Sequence, residues 1–203
     1  MGIEMYLYGA SGHGKVVAEI ADEIGITLKG FIDKNKAIKV CMGVPVSDIL
    51  TPENEKIFVS IGNNKIRKEI SQTFPKDRFV KLVHPNALIS KSVRLKPGTV
   101  IMGGATVNAD TQIGEHCIIN TNASVDHDCI IEDFVHIAPN VALAGNVSVG
   151  EGTHIGIGAC VIQGIKIGKW CTIGAGTVII RDVEDGATVV GNPGRVIKIN
   201  PKK

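Results

Sequence analysis

The sequence predicts two units in series: an α/β, Rossmann-like βαβ unit over residues 1–84 and a parallel β-helix of hexapeptide repeats over residues 85–203. Three observations carry this. From Ile89 to Ile179 every sixth residue is Leu, Ile or Val, without a slip of register. A period of six is no helix, whose faces recur at ~3.6 residues, but it is a strand period of two interrupted by a turn. Residues 5–24 read as strand, glycine turn, helix, the opening of a βαβ unit. Finally, hydrophobic content of 44% with only 4% aromatic residues suits a narrow interior filled by aliphatic side chains.

In the first unit, Met5 to Tyr8 reads as a strand running into Gly9-Ala10-Ser11-Gly12-His13-Gly14. Val16, Val17, Ile20 and Ile24 then follow at helical spacing. Leu28 to Ile32 reads as a second strand ending at Asp33. Ile57 to Ile61 is a third, followed by Gly62-Asn63-Asn64 and a helix through Phe74, and Phe79 to Val83 is a fourth. Alternating strands and helices imply a small parallel sheet with ligand loops at its strand C-termini. The glycine loop is G-x-x-G-x-G, not the dinucleotide G-x-G-x-x-G. It suits an anion at a helix N-terminus, with Asp33 where such units place a ribose- or base-binding carboxylate. A tight structural turn would use the same glycines. His84-Pro85 then reads as an extended connector.

In the second unit, two further columns follow the aliphatic one. Four residues after each aliphatic position stands a small or β-branched residue, among them Thr99, Ala105, Cys117, Ala123, Cys129 and Cys171. Three residues after it stands Gly, Asn or Asp, the residues that tolerate left-handed backbone, so each repeat turns at a fixed place. Three repeats make a triangular coil of eighteen residues, stacked at ~4.8 Å. His116, Phe134 and Trp170 break the turn column, and they differ by multiples of eighteen. This bulky ridge is expected to pack against another subunit.

The same stacking puts Ala109 below His127 and Gly145 above it, leaving room for a substrate at the imidazole. His136 stacks beneath His154. His127 suits general-base work, and Asp128 could orient its ring or raise its basicity. An exposed turn histidine is the competing explanation. No G-x-S-x-G or catalytic cysteine context suggests a covalent acyl-enzyme, so direct transfer fits better. A solenoid surface lacks a deep pocket, which favours a site between subunits.

Bulk properties exclude other classes. Net charge is +2, from 22 basic and 20 acidic residues, with no basic block apart from Lys202-Lys203, so nucleic acid is not indicated. No run of ~18 apolar residues would span a bilayer, and no signal peptide is evident. Five scattered cysteines without C-x-x-C argue for reduced thiols in a cytoplasm and against a metal site.

Several motifs together resemble one family. Tyr8-Gly-Ala-Ser-Gly-His-Gly14, Ile61-Gly-Asn-Asn64 with Ile66-Arg67, and Asn120-Thr-Asn-Ala-Ser-Val-Asp-His-Asp-Cys129 occur in order with the hexapeptide run. A closing segment from Gly176 through Val189-Val-Gly-Asn-Pro-Gly-Arg-Val-Ile197 follows them. The whole chain resembles the PglD- and NeuD-like sugar O-/N-acyltransferases of the left-handed β-helix class. The resemblance implies a left-handed coil and a nucleotide-linked sugar, with UDP first, held by Ser11, Gly12, His13, Asp33, Gly62 and Asn63. Lys34 stands where the family is often acidic. It implies His127 as base with Asp128, where relatives have Glu, tuning it. It further implies acetyl-CoA as co-substrate near His136, with backbone contacts at Ile157 and Ala175. No metal is implied, and the assembly is a homotrimer with active sites between subunits. The expected reaction is N-acetylation of a 4-amino-4,6-dideoxy sugar in bacterial surface-glycan assembly. O-acetylation of a sialic-acid-like sugar and a non-catalytic sugar-nucleotide-binding solenoid remain as alternatives.

Overall fold

The computed structural model describes residues 2–49 and 54–199; Lys202-Lys203 lies outside them. The chain forms an α/β unit followed by a parallel β-helix. In the first unit, β1 (Glu4–Tyr8) lies between β2 (Thr27–Ile32) and β5 (Lys56–Val59), all parallel. Beyond β2 lies β4 (Val44–Ser47), and β3 (Val40–Cys41) pairs antiparallel with it, giving the order β3-β4-β2-β1-β5. The β3–β4 hairpin leaves little pattern in the sequence, because its strands are short, Pro45 sits inside one and the preceding residues are lysine-rich.

Helix α1 (Gly12–Glu23) starts earlier than its apolar spacing suggests, because the glycine loop itself forms the first turn. Gly9 has φ +117°, and a side chain there would come within 2.9 Å of the Ser60 carbonyl and the Ile61 side chain. A Cβ on Gly14 would collide with the Gly9 carbonyl. Helix α2 (Asn64–Ser71) ends three residues short of Phe74. Pro75 disfavours helical backbone at Phe74, whose ring packs edge-on to Tyr8 and Phe79 instead.

The expected fourth strand over 79–83 divides. Phe79 bridges to Ile57 of the first sheet, whereas Leu82–Val83 pairs with Val100–Ile101 of the solenoid. Leu82, fully buried, joins Val17, Ile20, Val100 and Ile118 in one core, so α1 is sandwiched between the first sheet and a face of the β-helix.

The β-helix has three faces of two-residue parallel strands, each residue pairing with the one eighteen positions on until the last coil, where Thr172 and Ile173 pair with Thr188 and Val189. The first face runs from Leu88–Ile89 to Val178–Ile179, and the second from Arg94–Leu95 to Lys166–Ile167. The third runs from Leu82–Val83 through His136–Ile137 and His154–Ile155 to Ala187–Val190, closed by the antiparallel strand Arg195–Ile199. The aliphatic and small columns form the interior. Cys117, Cys129 and Cys171 lie within it, and all five cysteines are free. Every residue of the turn column from 98 to 176 has positive φ, His116, Phe134 and Trp170 included.

The chain's own first unit buries His116 and Phe134, whereas Trp170 is only half-buried. His116 lies edge-on to Phe79 at 4.4 Å between centroids and stacks on Phe134 at 5.2 Å. Lys68 of α2 lies over Phe134 and Trp170 and pairs with Glu151. The eighteen-residue register located the ridge. It carried no information that α2 would return to the solenoid across many residues of intervening chain.

Candidate active site

The domain junction is pinned by Arg67, which is 1% exposed. Its guanidinium donates to the carbonyls of Ile61, Gly62, His116 and Phe134 and to Asn64 Oδ1, at 2.8–3.2 Å. Asn64 in turn donates to the carbonyls of Gly152 and Thr153. The loop after β5 is thereby fastened to three successive turns of the β-helix. Sequence reasoning took Ile66-Arg67 as part of a motif but gave Arg67 no task, since burial of a charge among carbonyls leaves no local pattern.

Ser11, Gly12, His13, Asp33, Gly62 and Asn63 come together at the C-terminal edge of the first sheet. Asp33 accepts from the amides of Ala10 and Asn35, each at 2.8 Å, so its carboxylate shapes the glycine loop directly. Ser11 is the N-cap of α1 but makes no side-chain cap bond, whereas Asn63 caps α2 by accepting from the Ile66 amide. Lys34 is exposed at the rim. Such an edge, with two helix N-termini and open amides, suits a diphosphate.

His13 also packs inward. Its ring centroid lies 6.4 Å from that of His136, which lies 4.8 Å from that of His154. Burial first, and the Arg67 charge second, pushes the His13 imidazole down to about 4. Burial, then His154, Arg67 and His13, pushes His136 down to about 3. These rings are neutral at pH 7. Asn120 Nδ2 donates to His136 Nε2 at 3.1 Å. His136 is 9% exposed, enclosed beneath the first unit rather than open to a groove. Ile157, 52% exposed, and Ala175 stand one coil apart on the corner between the third and first faces.

His127 and Asp128 occupy a different corner, between the first and second faces, away from the third face that carries the nucleotide-type loops. His127 Nδ1 donates to Asp128 Oδ2 at 2.7 Å, which leaves Nε2 as the free nitrogen. The Asp128 hydrogen bond, then the Asp126 charge, raises the His127 pKa above its ordinary value. Asp128 has φ +57°, so the turn column itself folds the carboxylate back beside the ring. A Cβ on Gly145 would stand 2.6 Å from His127 Cε1 and Nε2. The space left by Gly145 is therefore filled by the imidazole itself, not left for substrate. Ile162 and Ile180 stand exposed on the neighbouring column above.

The chain matches the PglD N-terminal domain over residues 4–74 and the bacterial transferase hexapeptide (six repeats) over 110–145 and 146–181. PerB from Caulobacter crescentus, solved with CoA and GDP-perosamine, superposes with TM-score 0.90 at 38% identity, covering 98% of both chains. The chain belongs to the PglD-like hexapeptide-repeat sugar acyltransferases. A second member of this acyltransferase fold is the acetyltransferase domain of PglB from Neisseria gonorrhoeae, in complex with acetyl coenzyme A. It has TM-score 0.88 and 38% identity, with 97% of this chain and 100% of that one covered. UDP-N-acetylbacillosamine N-acetyltransferase from Bacillus subtilis is 41% identical over 107 residues, 47% of this chain and 50% of that protein. The chain spans half or less of the length of the curated relatives it matches. Among the described residues no helix is long and apolar enough to cross a membrane, and no cluster of three or more His, Cys, Asp or Glu could hold a metal ion.

Proposed function

We propose that the chain transfers an acetyl group from acetyl-CoA to the amine of a nucleotide-linked 4-amino-4,6-dideoxy sugar, in the cytoplasm, as a step of bacterial surface-glycan assembly. The observation that carries this is the His127–Asp128 pair: a ring held through Nδ1 at 2.7 Å, with Nε2 exposed beside a glycine. The neutral sugar amine attacks the thioester carbon. His127 Nε2 takes the amine proton as the C–N bond forms, a backbone N–H stabilises the oxyanion, and the C–S bond breaks to give the amide. The imidazolium then returns its proton to the CoA sulfur. Asp128 keeps the ring in the tautomer that presents a lone pair at Nε2.

Ser11, Gly12, His13, Asp33, Lys34, Gly62 and Asn63 hold the nucleotide end of the substrate; Ile157 and Ala175 line the pantetheine arm, with His136 near the acetyl end. The GDP-perosamine and CoA bound to the Caulobacter protein support both assignments, and the Bacillus relative supports UDP as the first nucleotide to test. His127 and the nucleotide loops occupy different sides of one prism, which supports a homotrimer in which a neighbouring copy brings the two halves together.

The test is CoA thiol release with UDP- and GDP-linked 4-amino sugars, and with sialic acids as competitors. His127→Ala lowers turnover on an amino sugar by ~10²–10⁴ with the fold intact. Near wild-type turnover from that variant, or transfer confined to a sialic acid hydroxyl, overturns the reading.

A further inference from the structure

The corner that carries His127 is fastened from two sides. From inside, the buried Thr111 hydroxyl donates to the Asp126 carbonyl at 2.7 Å and accepts from the Cys129 amide at 3.1 Å. The same clamp recurs twice: Thr99 joins the Gly114 carbonyl to the Cys117 amide, and Thr153 joins the Gly168 carbonyl to the Cys171 amide. In both of those corners the residue equivalent to Asp126 is a glycine. At those corners the amides equivalent to that of His127, on Glu115 and Lys169, are capped by Asp133 and Asp185 from the next coil, with no side chain at the position equivalent to 126.

Asp126 nevertheless has one, and it is locked. Asn108, one coil below, donates Nδ2–H to Asp126 Oδ1 at 2.8 Å, and the His127 backbone amide donates to the same oxygen at 2.8 Å. The Asn108 bond first, and the His127 amide second, holds the Asp126 carboxyl below its usual range, so it is charged throughout the neutral region. The charged groups facing the imidazole are Asp128 on Nδ1 and Asp126 beside it. The coils directly below and above present uncharged Ala109 and Gly145, and Asp110 stands one coil beneath Asp128.

We propose that Asp126, locked in place by Asn108, is a positioning residue for His127: a second carboxylate that fixes the amide of the base and adds to its basicity. Asp128 alone sets the tautomer; Asp126 supplies charge without touching the ring nitrogens. This rests on the reading of His127 as general base.

The experiment is the pH profile of kcat/KM for the intact enzyme with an amino-sugar nucleotide. Asp126→Asn keeps an acceptor oxygen for the His127 amide and removes the charge. Its acidic limb moves to lower pH by about half a unit, and plateau kcat falls roughly 3- to 10-fold with KM unchanged. Asn108→Ala keeps the charge and frees the carboxylate, so kcat falls with the limb within about 0.2 units of wild type. An unmoved limb and unchanged kcat in Asp126→Asn overturn the proposal. His127→Ala measured alongside separates the two readings: activity retained there defeats the base assignment, while activity lost there with Asp126→Asn at wild type defeats only this inference.

Discussion

The imidazole of His127 rests on the backbone of Gly145, with Cε1 and Nε2 each 2.6 Å from where a Cβ would stand. Gly145→Ala must therefore push the ring aside. The ring is the far end of an exposed side chain, so the fold is expected to lose less than about 1 kcal/mol. Turnover is expected to fall about 10²-fold, since a displacement near 1 Å misaligns the proposed base. Steady-state kinetics beside a thermal melt checks this, and equal losses in both would contradict it.

Asp128 raises the pKa of His127, and in the proposed mechanism the working base is the neutral ring. Activity is therefore lost as pH falls through that raised value. Asp128→Asn removes the charge, lowers the pKa and moves the acidic limb of the pH–rate profile to lower pH. The plateau drops roughly tenfold or more, because a weaker base with an unfixed tautomer accepts the proton less well. A limb that stays in place would show that Asp128 does not tune the ring.

Arg67→Met removes the donors that satisfy the carbonyls of Ile61, Gly62, His116 and Phe134. Leaving such groups buried and unpaired costs about 3–5 kcal/mol. Urea denaturation is expected to show the first unit loosening before the β-helix, with Trp170 emission reporting it because Lys68 of α2 covers that ring. A single unchanged transition would place the strength of the junction elsewhere.

His13, His116 and His136 are held down to about 4, 4 and 3, below the ordinary value near 6.5 that an unfolded chain shows. Above that ordinary value both states are neutral and stability is flat. As pH falls below 6.5, the unfolded chain binds protons that the folded one refuses, so stability declines towards pH 3–4. Each imidazole contributes at most about 1.4 kcal/mol per pH unit, and the three together no more than about 4. Chemical denaturation at pH 7.5, 6, 5 and 4 reads the slope. His116→Phe should flatten it, with the remaining slope carried by the other buried imidazoles.

The β-helix was legible because its rule is local and repeated: each hexapeptide states the same interior positions, and the turn column predicted positive φ at residue after residue. The same register sets Gly145 above His127, but the glycine seats the imidazole itself and does not open room beside it. What lay beyond reach was the return of the first unit onto the solenoid. Arg67 reaching Phe134, or His13 facing His136, joins residues whose sequence separation follows no period. The strand over 79–83 divided because Phe79 and Leu82 serve different sheets, a choice made by tertiary packing rather than local preference. Asp126 was overlooked because its significance is a difference: it stands where the two other threonine-clamped corners have glycine.

The pairing of strand residues up to Ile179 with their counterparts eighteen positions on gives the second unit a reading frame. Deleting one residue between Ile89 and Ile179 would turn each downstream interior Ile or Val to the outside, much as a lost base scrambles the codons after it. Insertions in multiples of eighteen would lengthen the prism and leave every corner in place. Change along this stretch is thus confined to whole coils or to single outward side chains, and a chemical group such as His127 can be gained or lost at a corner without disturbing its neighbours.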